Sequence, residues 1–267
     1  MSEQTTENNG LALPLVPLKD IVIYPKMTVN LDIGRKDSAD AVRLASRGDR
    51  YIVTALERDG KETPDVYSVG TVSKISQMLQ LPGGLVRVLA EGVSRVKIRS
   101  VYNGERCLMA EVDDLEETAP DDELRAEAYR RTLLKEFFEW LRNTKQGLPD
   151  EQMEQLKAIT DPGETSDFLS AQLILSPKQR QDVLEETDIM NRLRLVHRML
   201  DQEIQIGRLE AEINGDVRAK MDKEQQDYYL RQKIKTIHDR LGDTVSQEKE
   251  ADEYRKKLKE TGIPEEY

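Results

Sequence analysis

The 267-residue chain holds one cysteine, two histidines, three phenylalanines and one tryptophan. A lone cysteine excludes a disulfide framework and any Cys-rich zinc site, and points to a reducing compartment. His197 and His238 sit far apart among helical charges, which suits neither a zinc motif nor a Ser-His dyad. No apolar run approaches the roughly 18 residues of a membrane span. The first ten residues, MSEQTTENNG, lack the apolar stretch of a signal peptide and predict a flexible tail on a cytoplasmic protein. The only Gly-Lys pair, Gly60-Lys61, is followed by Glu62 and cannot form a phosphate loop, which needs Gly-x-x-x-x-Gly-Lys-Ser/Thr. With aromatics at 5% and charged residues at 34%, two large cores cannot be built, so part of the chain is expected to be elongated or solvated.

What is present is charge, and most of it is acidic. The net charge is −11, which argues against a nucleic-acid-binding surface spread over the chain. Residues 1–120 carry 15 Lys/Arg against 18 Asp/Glu and nine of the fifteen glycines. One basic cluster, Arg255-Lys256-Lys257-Lys259, is flanked by Glu253 and Glu260 and reads as a salt-bridged helix face. Cys107 reads as a small strand hydrophobe. Ser73 and Lys74 are strand neighbours and point to opposite faces, so they make no dyad. No carboxylate pair stands out for acid–base work. The residues predict no catalytic group, no cofactor site and no metal site.

The apolar pattern changes near Pro120. Before it, Ala12–Pro17, Met27–Ile33, Tyr51–Leu56, Ser68–Met78, Leu85–Ala90, Val93–Val101 and Cys107–Val112 read as strands, with turns at Tyr24-Pro25, Asp59-Gly60, Pro82-Gly83-Gly84, Glu91-Gly92 and Asn103-Gly104. Asp37 is expected to cap a short helix that Gly48 stops. About seven short strands and one helix predict a small mixed β-sheet or partly closed barrel over residues 11–115. The acidic run 116–120 reads as a solvated linker.

Beyond it the period is helical, giving an α+β protein: sheet domain, helical bundle over 121–187, then a very long coiled-coil-like helix. Tyr129, Leu133, Phe137 and Trp140 form one stripe. Ser176-Pro177-Lys178-Gln179 is a helix start with a capping box. No proline occurs in residues 178–263. Residues 188–243 are expected to form the long helix, with Asn214-Gly215 as a possible turn and Gly242 as its end. Residues 244–267 then make a charged helix. At roughly 1.5 Å per residue, Asp188 to Leu241 would span about 80 Å, too long to bury itself against a small core.

Three stretches together resemble the Lon protease family: LPLVPLKDIVIYPKMTVNLDIGR (Leu13–Arg35), VGTVSKISQMLQLPGGLVRVLAEGVSRVKI (Val69–Ile98) and MDKEQQDYYLRQKIKTIHDRLGD (Met221–Asp243). Lys19 stands in the usual arginine place of the first. The resemblance implies the N-terminal region of a bacterial Lon protease: a sheet domain of the Lon N-terminal, PUA-like kind, then helices. It also implies that the chain stops at Tyr267, before the ATPase module of the AAA+ class and the Ser-Lys peptidase. The implied role is recognition of unfolded, damaged and short-lived regulatory proteins, and assembly of a homohexamer, in protein quality control and the stress response. The parent enzyme would use ATP and Mg, and the chain itself would be non-catalytic. A stand-alone coiled-coil adaptor with a Lon-like domain is the alternative.

The residues expected to meet substrate are Pro25, Met27, Met78, Leu81 and Pro82, apolar and beside turns, with Arg35 and Lys36 as lesser candidates. Met27 and Met78 could equally be core. Met221 and Tyr228 are seven residues apart and share a helix face in charged surroundings, since seven steps of about 100° return nearly to the start. That face either packs on the following helix or meets its copies and an entering polypeptide. Leu209, Ile213, Val217, Tyr229, Leu230 and Ile234 are expected to pack helices in the oligomer.

Overall fold

The computed structural model describes residues 11–58, 65–144 and 147–260, without the side chains of 242–248 and 259. The Asp59-Gly60 turn lies outside the described residues. Strands β1 (Leu11–Leu18) and β2 (Thr28–Ile33) precede helix α1 (Lys36–Ser46), followed by β3 (Tyr51–Leu56), β4 (Val69–Gln80), β5 (Val86–Asn103) and β6 (Leu108–Asp114). Then come α2 (Glu123–Thr144), α3 (Asp150–Ala158), α4 (Pro162–Gln172), α5 (Pro177–Glu185) and α6 (Ile189–Glu260).

The strands form one six-stranded sheet in the order β2-β5-β4-β3-β1-β6, with an additional β5–β6 pairing. β1 runs parallel to β3 and every other pair is antiparallel. β5 serves different neighbours in succession. Its ladder with β4 covers Val86–Lys97, and its ladder with β6 begins at Val96. The two overlap only at Val96 and Lys97, and the six strands form an open sheet that does not close into a barrel. This corrects the partly closed barrel expected from the strand count. Glu91-Gly92 is likewise no turn, because β5 passes straight through it with register shifts in the β4 ladder on either side of Ser73 and Ile75. Pro14 is where the β1–β6 ladder stops; from Leu15 onward β1 pairs with β3. Proline has no N–H to continue a ladder.

Asp37 does not cap α1. Arg35 occupies that position without a side-chain bond, and Asp37 lies inside the first turn, where its charge suits the helix dipole. α1 covers one face of the sheet, its Val42 sharing a core with Ile52, Ile75 and Val88. A second cluster joins Leu15, Val53, Val72, Val96 and Ala110.

The helices share a third core, in which Leu133, Phe137, Trp140, Leu169, Leu173, Leu193 and Val196 are buried. The same cluster takes in Val22, Tyr24 and Leu56 from the sheet side. Sheet and helices are therefore packed as one unit, which extends to Gly207. In the run 116–120, expected to be a solvated linker, residues 116–119 are exposed, and the Thr118 N–H donates to the Thr187 carbonyl at 3.0 Å. Asp161 caps α4 through the Glu164 N–H, and Ser176 with Gln179 makes a full capping box on α5.

α6 continues through Asn214-Gly215 and Gly242. Glycine costs a helix about 1 kcal/mol against alanine, but it ends one only where it takes up a left-handed cap. Among described residues only Gly83 and Gly84 of the glycines have positive φ. The second unit begins at Arg208, and every described side chain from there onward is exposed.

Candidate functional site

The turn between β1 and β2 is built by a missing side chain. Lys26 has φ 62°, and the Met27 N–H donates to the Tyr24 carbonyl at 3.1 Å. The turn sits on β5: the Lys26 N–H donates to the Gly92 carbonyl at 2.7 Å, and the Gly92 N–H to the Met27 carbonyl at 2.9 Å. A Cβ at Gly92 would lie 2.1 Å from the Tyr24 carbonyl oxygen, so only glycine allows this approach.

From that turn the Tyr24 hydroxyl donates to the Arg180 carbonyl at 2.9 Å, and Lys26 Nζ meets Glu164 at 2.6 Å. Burial pushes the Tyr24 hydroxyl far above its ordinary value, with Asp167 adding to the shift. The residue is a fixed neutral donor. Between the turn and helices α3 and α4 lies a cleft of about 580 Å³. Pro25, Met27, Ile159, Phe168 and Ala171 supply its apolar lining, and Gln152, Gln155, Thr160 and Gln172 its neutral polar groups. Pro25 and Met27 are half-buried.

Beneath the cleft is a charge node that ties the sheet to the helices. Arg95 and Arg192 are 2% and 0% exposed. Arg95 donates to Glu117 at 2.5 Å, to Asp167 at 2.6 Å and to the Leu184 carbonyl at 3.1 Å. Arg192 donates to Glu117 at 2.7 Å and to Ser166 Oγ at 3.0 Å. Burial alone would raise the Glu117 carboxyl, but the Arg192 hydrogen bond and the two guanidinium charges outweigh it and hold the group below its usual range. Asp167 also lines the cleft. Burial pushes its carboxyl up, against the pull of Arg95 and Arg192. None of these four residues was anticipated from the sequence. The signal that could have found one is Arg192 itself, an arginine on the apolar face set by Ile189, Val196 and Met199.

The structure divides the residues expected to meet substrate. Pro25 and Met27 share the cleft. Met78, Leu81 and Pro82 lie on the β4–β5 hairpin, where Met78 is 37% and Leu79 57% exposed, and the Ser46 hydroxyl approaches Met78 Sδ at 3.3 Å. Residues 75–86 of that hairpin contain no charge in a chain one-third charged, a sequence signal for an exposed apolar hairpin. Arg35 is ion-paired with Glu57, and Lys36 opens α1.

On the second unit, Leu209, Ile213, Val217, Met221, Tyr228, Tyr229, Leu230 and Ile234 are 49% to 66% exposed. They are not one stripe. At about 100° per residue, the line Leu209–Ile213–Val217–Met221–Tyr228 itself drifts through about 120°, and Tyr229 and Leu230 lie roughly 80° and 60° beyond its two edges. Tyr228 accepts from Gln232 Nε2 at 3.3 Å, and Lys233 Nζ lies 5.4 Å from the Tyr229 ring centroid.

Among the described residues no group of three or more His, Cys, Asp or Glu is placed to hold a metal ion. No helix among them is long and apolar enough to cross a membrane.

Comparison with known proteins agrees with a binding role. The family described as the ATP-dependent protease La (LON) substrate-binding domain matches residues 12–202. The chain is 35% identical to the Lon protease of Heliobacterium modesticaldum over 259 residues, 95% of this chain and 32% of that one. It is 37% identical to the Lon protease of Clostridium acetobutylicum over 251 residues, 92% of this chain and 32% of that one. It thus spans about a third of the length of these relatives. The solved N-terminal domain of a Mycobacterium avium complex Lon protease shares the fold at TM-score 0.61 and 21% identity, covering 72% of this chain and 98% of that one. The corresponding Xanthomonas campestris domain does so at TM-score 0.52 and 21% identity, covering 70% and 98%. The chain belongs to the Lon protease family, and residues 12–202 match its substrate-binding domain.

Proposed function

We propose that the cleft between the Tyr24–Thr28 turn and helices α3 and α4 captures extended apolar segments of unfolded or damaged proteins. The observation that carries this reading is that half-buried Pro25 and Met27 line one concave surface with Phe168. Methionine offers apolar area without demanding one partner shape, and the glutamines around it can hydrogen-bond a passing backbone whatever its sequence. The hairpin residues Met78, Leu81 and Pro82 provide a second apolar contact, with Lys36 and Arg35 as charged neighbours at the start of α1. In the whole protein, this domain would hand chains to an ATP- and Mg-dependent serine endopeptidase of the AAA+ class, acting in cytoplasmic quality control as a homohexamer. The exposed face of α6 from Leu209 to Tyr228 supports self-association, because a long apolar line bathed in water is a cost that a second copy removes.

The test is binding of a permanently unfolded protein, reduced and carboxymethylated, to the full 267-residue chain. Met27→Glu is expected to weaken it by about ten-fold, since a bound apolar segment would bury the new charge without a partner; because Met27 packs against the cores, binding is measured under conditions where urea titration shows the variant fully folded. Unchanged affinity would reject the cleft.

A further inference from the structure

We infer that the outer edge of β2 is a strand-addition site, which takes an extended segment of an unfolded polypeptide by backbone hydrogen bonds. This rests on the proposed function and deepens it by stating how such a segment is held. Three observations carry it.

The first is an unused ladder. Among the described residues β2 pairs only with β5, and Thr28–Ile33 make no other backbone–backbone hydrogen bond. In an antiparallel strand half of the N–H and C=O groups face each neighbour, so half of those of β2 face outward.

The second is the room beside it. The β1–β6 ladder stops at Pro14, and Leu15–Leu18 have β3 as their one paired neighbour. Between that end of β1 and the end of β2 lies a groove of about 280 Å³, lined by Val16, Leu18, Ile21, Leu31 and Ile33.

The third is continuity. Thr28, the first residue of β2, lines the cleft, while Leu31–Ile33 line the groove. At roughly 3.3 Å per residue, the six-residue edge is a track of about 20 Å joining the two concavities.

The edge also lacks the usual protections. β2 contains no proline and no lysine, devices by which exposed edges repel another strand. Its single charge, Asp32, is paired with Arg87 of β5 at 2.6 and 2.8 Å. Recognition through the main chain is indifferent to sequence, and pockets for alternate side chains add preference. That suits a site whose partners share exposure of backbone and apolar groups and little else.

The test uses the full chain and a ten-residue synthetic peptide alternating Val, Leu or Phe with Ser and one Lys. Two analogues are N-methylated, one on odd and one on even residues. Amide exchange of the protein is followed by NMR with and without peptide. Strand addition predicts that alternate amides within Thr28–Ile33 exchange at least about ten-fold more slowly in the complex. It also predicts that one analogue, and not the other, binds about ten-fold more weakly, because only one set of peptide amides faces β2. Unchanged β2 exchange, or equal binding by both analogues, overturns the inference. If that happens while Met27→Glu still weakens binding by about ten-fold, the cleft stands and the edge alone is wrong. If β2 is protected but Met27→Glu has no effect, the edge stands and the cleft reading fails.

Discussion

Replacing Arg192 with methionine tests the charge node most directly. Methionine keeps most of the volume and apolar stem but removes the guanidinium, which is wholly buried and donates to Glu117 at 2.7 Å and Ser166 at 3.0 Å. Two carboxylates, Asp167 and Glu117, then share Arg95 alone, leaving an uncompensated negative charge at a site where Asp167 is 4% exposed. Breaking one side of a buried pair costs about 3–5 kcal/mol, a large share of a domain's total of about 5–15 kcal/mol. At a urea slope near 2 kcal/mol per M, the unfolding midpoint should fall by roughly 2 M. Combining Arg192→Met with Asp167→Asn removes the orphaned charge and should recover about 1–2 kcal/mol, a coupling that a double-mutant cycle measures. Arg192→Lys should fall between the two, since one ammonium cannot fork to Glu117 and Ser166 together. A loss below about 1 kcal/mol for Arg192→Met, with no coupling to Asp167, would show that water satisfies the node and refute the argument.

Other outcomes follow from single contacts. Gly92→Ala should destabilise by about 1–3 kcal/mol or more and shift the Met27 NMR signals, because its Cβ would sit 2.1 Å from the Tyr24 carbonyl oxygen; a neutral substitution would contradict the turn geometry. Ser176→Ala should cost about 1 kcal/mol and Ser176→Gly only a few tenths in urea titration, as the capping box requires. The Arg192 and Arg95 guanidiniums hold the Glu117 carboxyl below the ordinary glutamate value of about 4.5, so its share of stability is full above that pH and drains away as pH falls through the folded value. Urea midpoints measured down to about pH 3 should therefore drop less steeply for Glu117→Gln than for the unaltered chain, and parallel curves would count against the pairing. Met221→Ala with Tyr228→Ala should leave unfolding within about 0.5 kcal/mol, both side chains being exposed, and should weaken self-association in sedimentation; full association would make the face ordinary surface.

The sequence by itself determined the elements whose causes are local. Ser176-Pro177-Lys178-Gln179 carries its whole capping box within four residues, and the stripe of Leu133, Phe137 and Trp140 needs only helical geometry to point at one core. The exposed apolar line on α6 is also a matter of spacing, as is the resemblance that identified the family. Tertiary structure decided what depends on a distant partner. Glu91-Gly92 has the residues of a turn, yet becomes the middle of β5 because Tyr24 must approach within a side chain's width of Gly92. The strand count suggested a closing barrel, but where β5 passes from β2, at Val86–Glu91, to β6, from Val96 onward, is a question of register, settled residue by residue along the ladder. Arg95, Glu117, Asp167 and Arg192 lie on four separate segments, and Glu117 sits in a run whose composition says solvated linker. A charge is buried only when its counter-charges arrive from elsewhere in the chain, so no local pattern announces it. Pro25 and Met27 were legible as apolar residues beside a turn, but the Phe168 wall opposite them, and hence the cleft, exists only once the helices have packed onto the sheet.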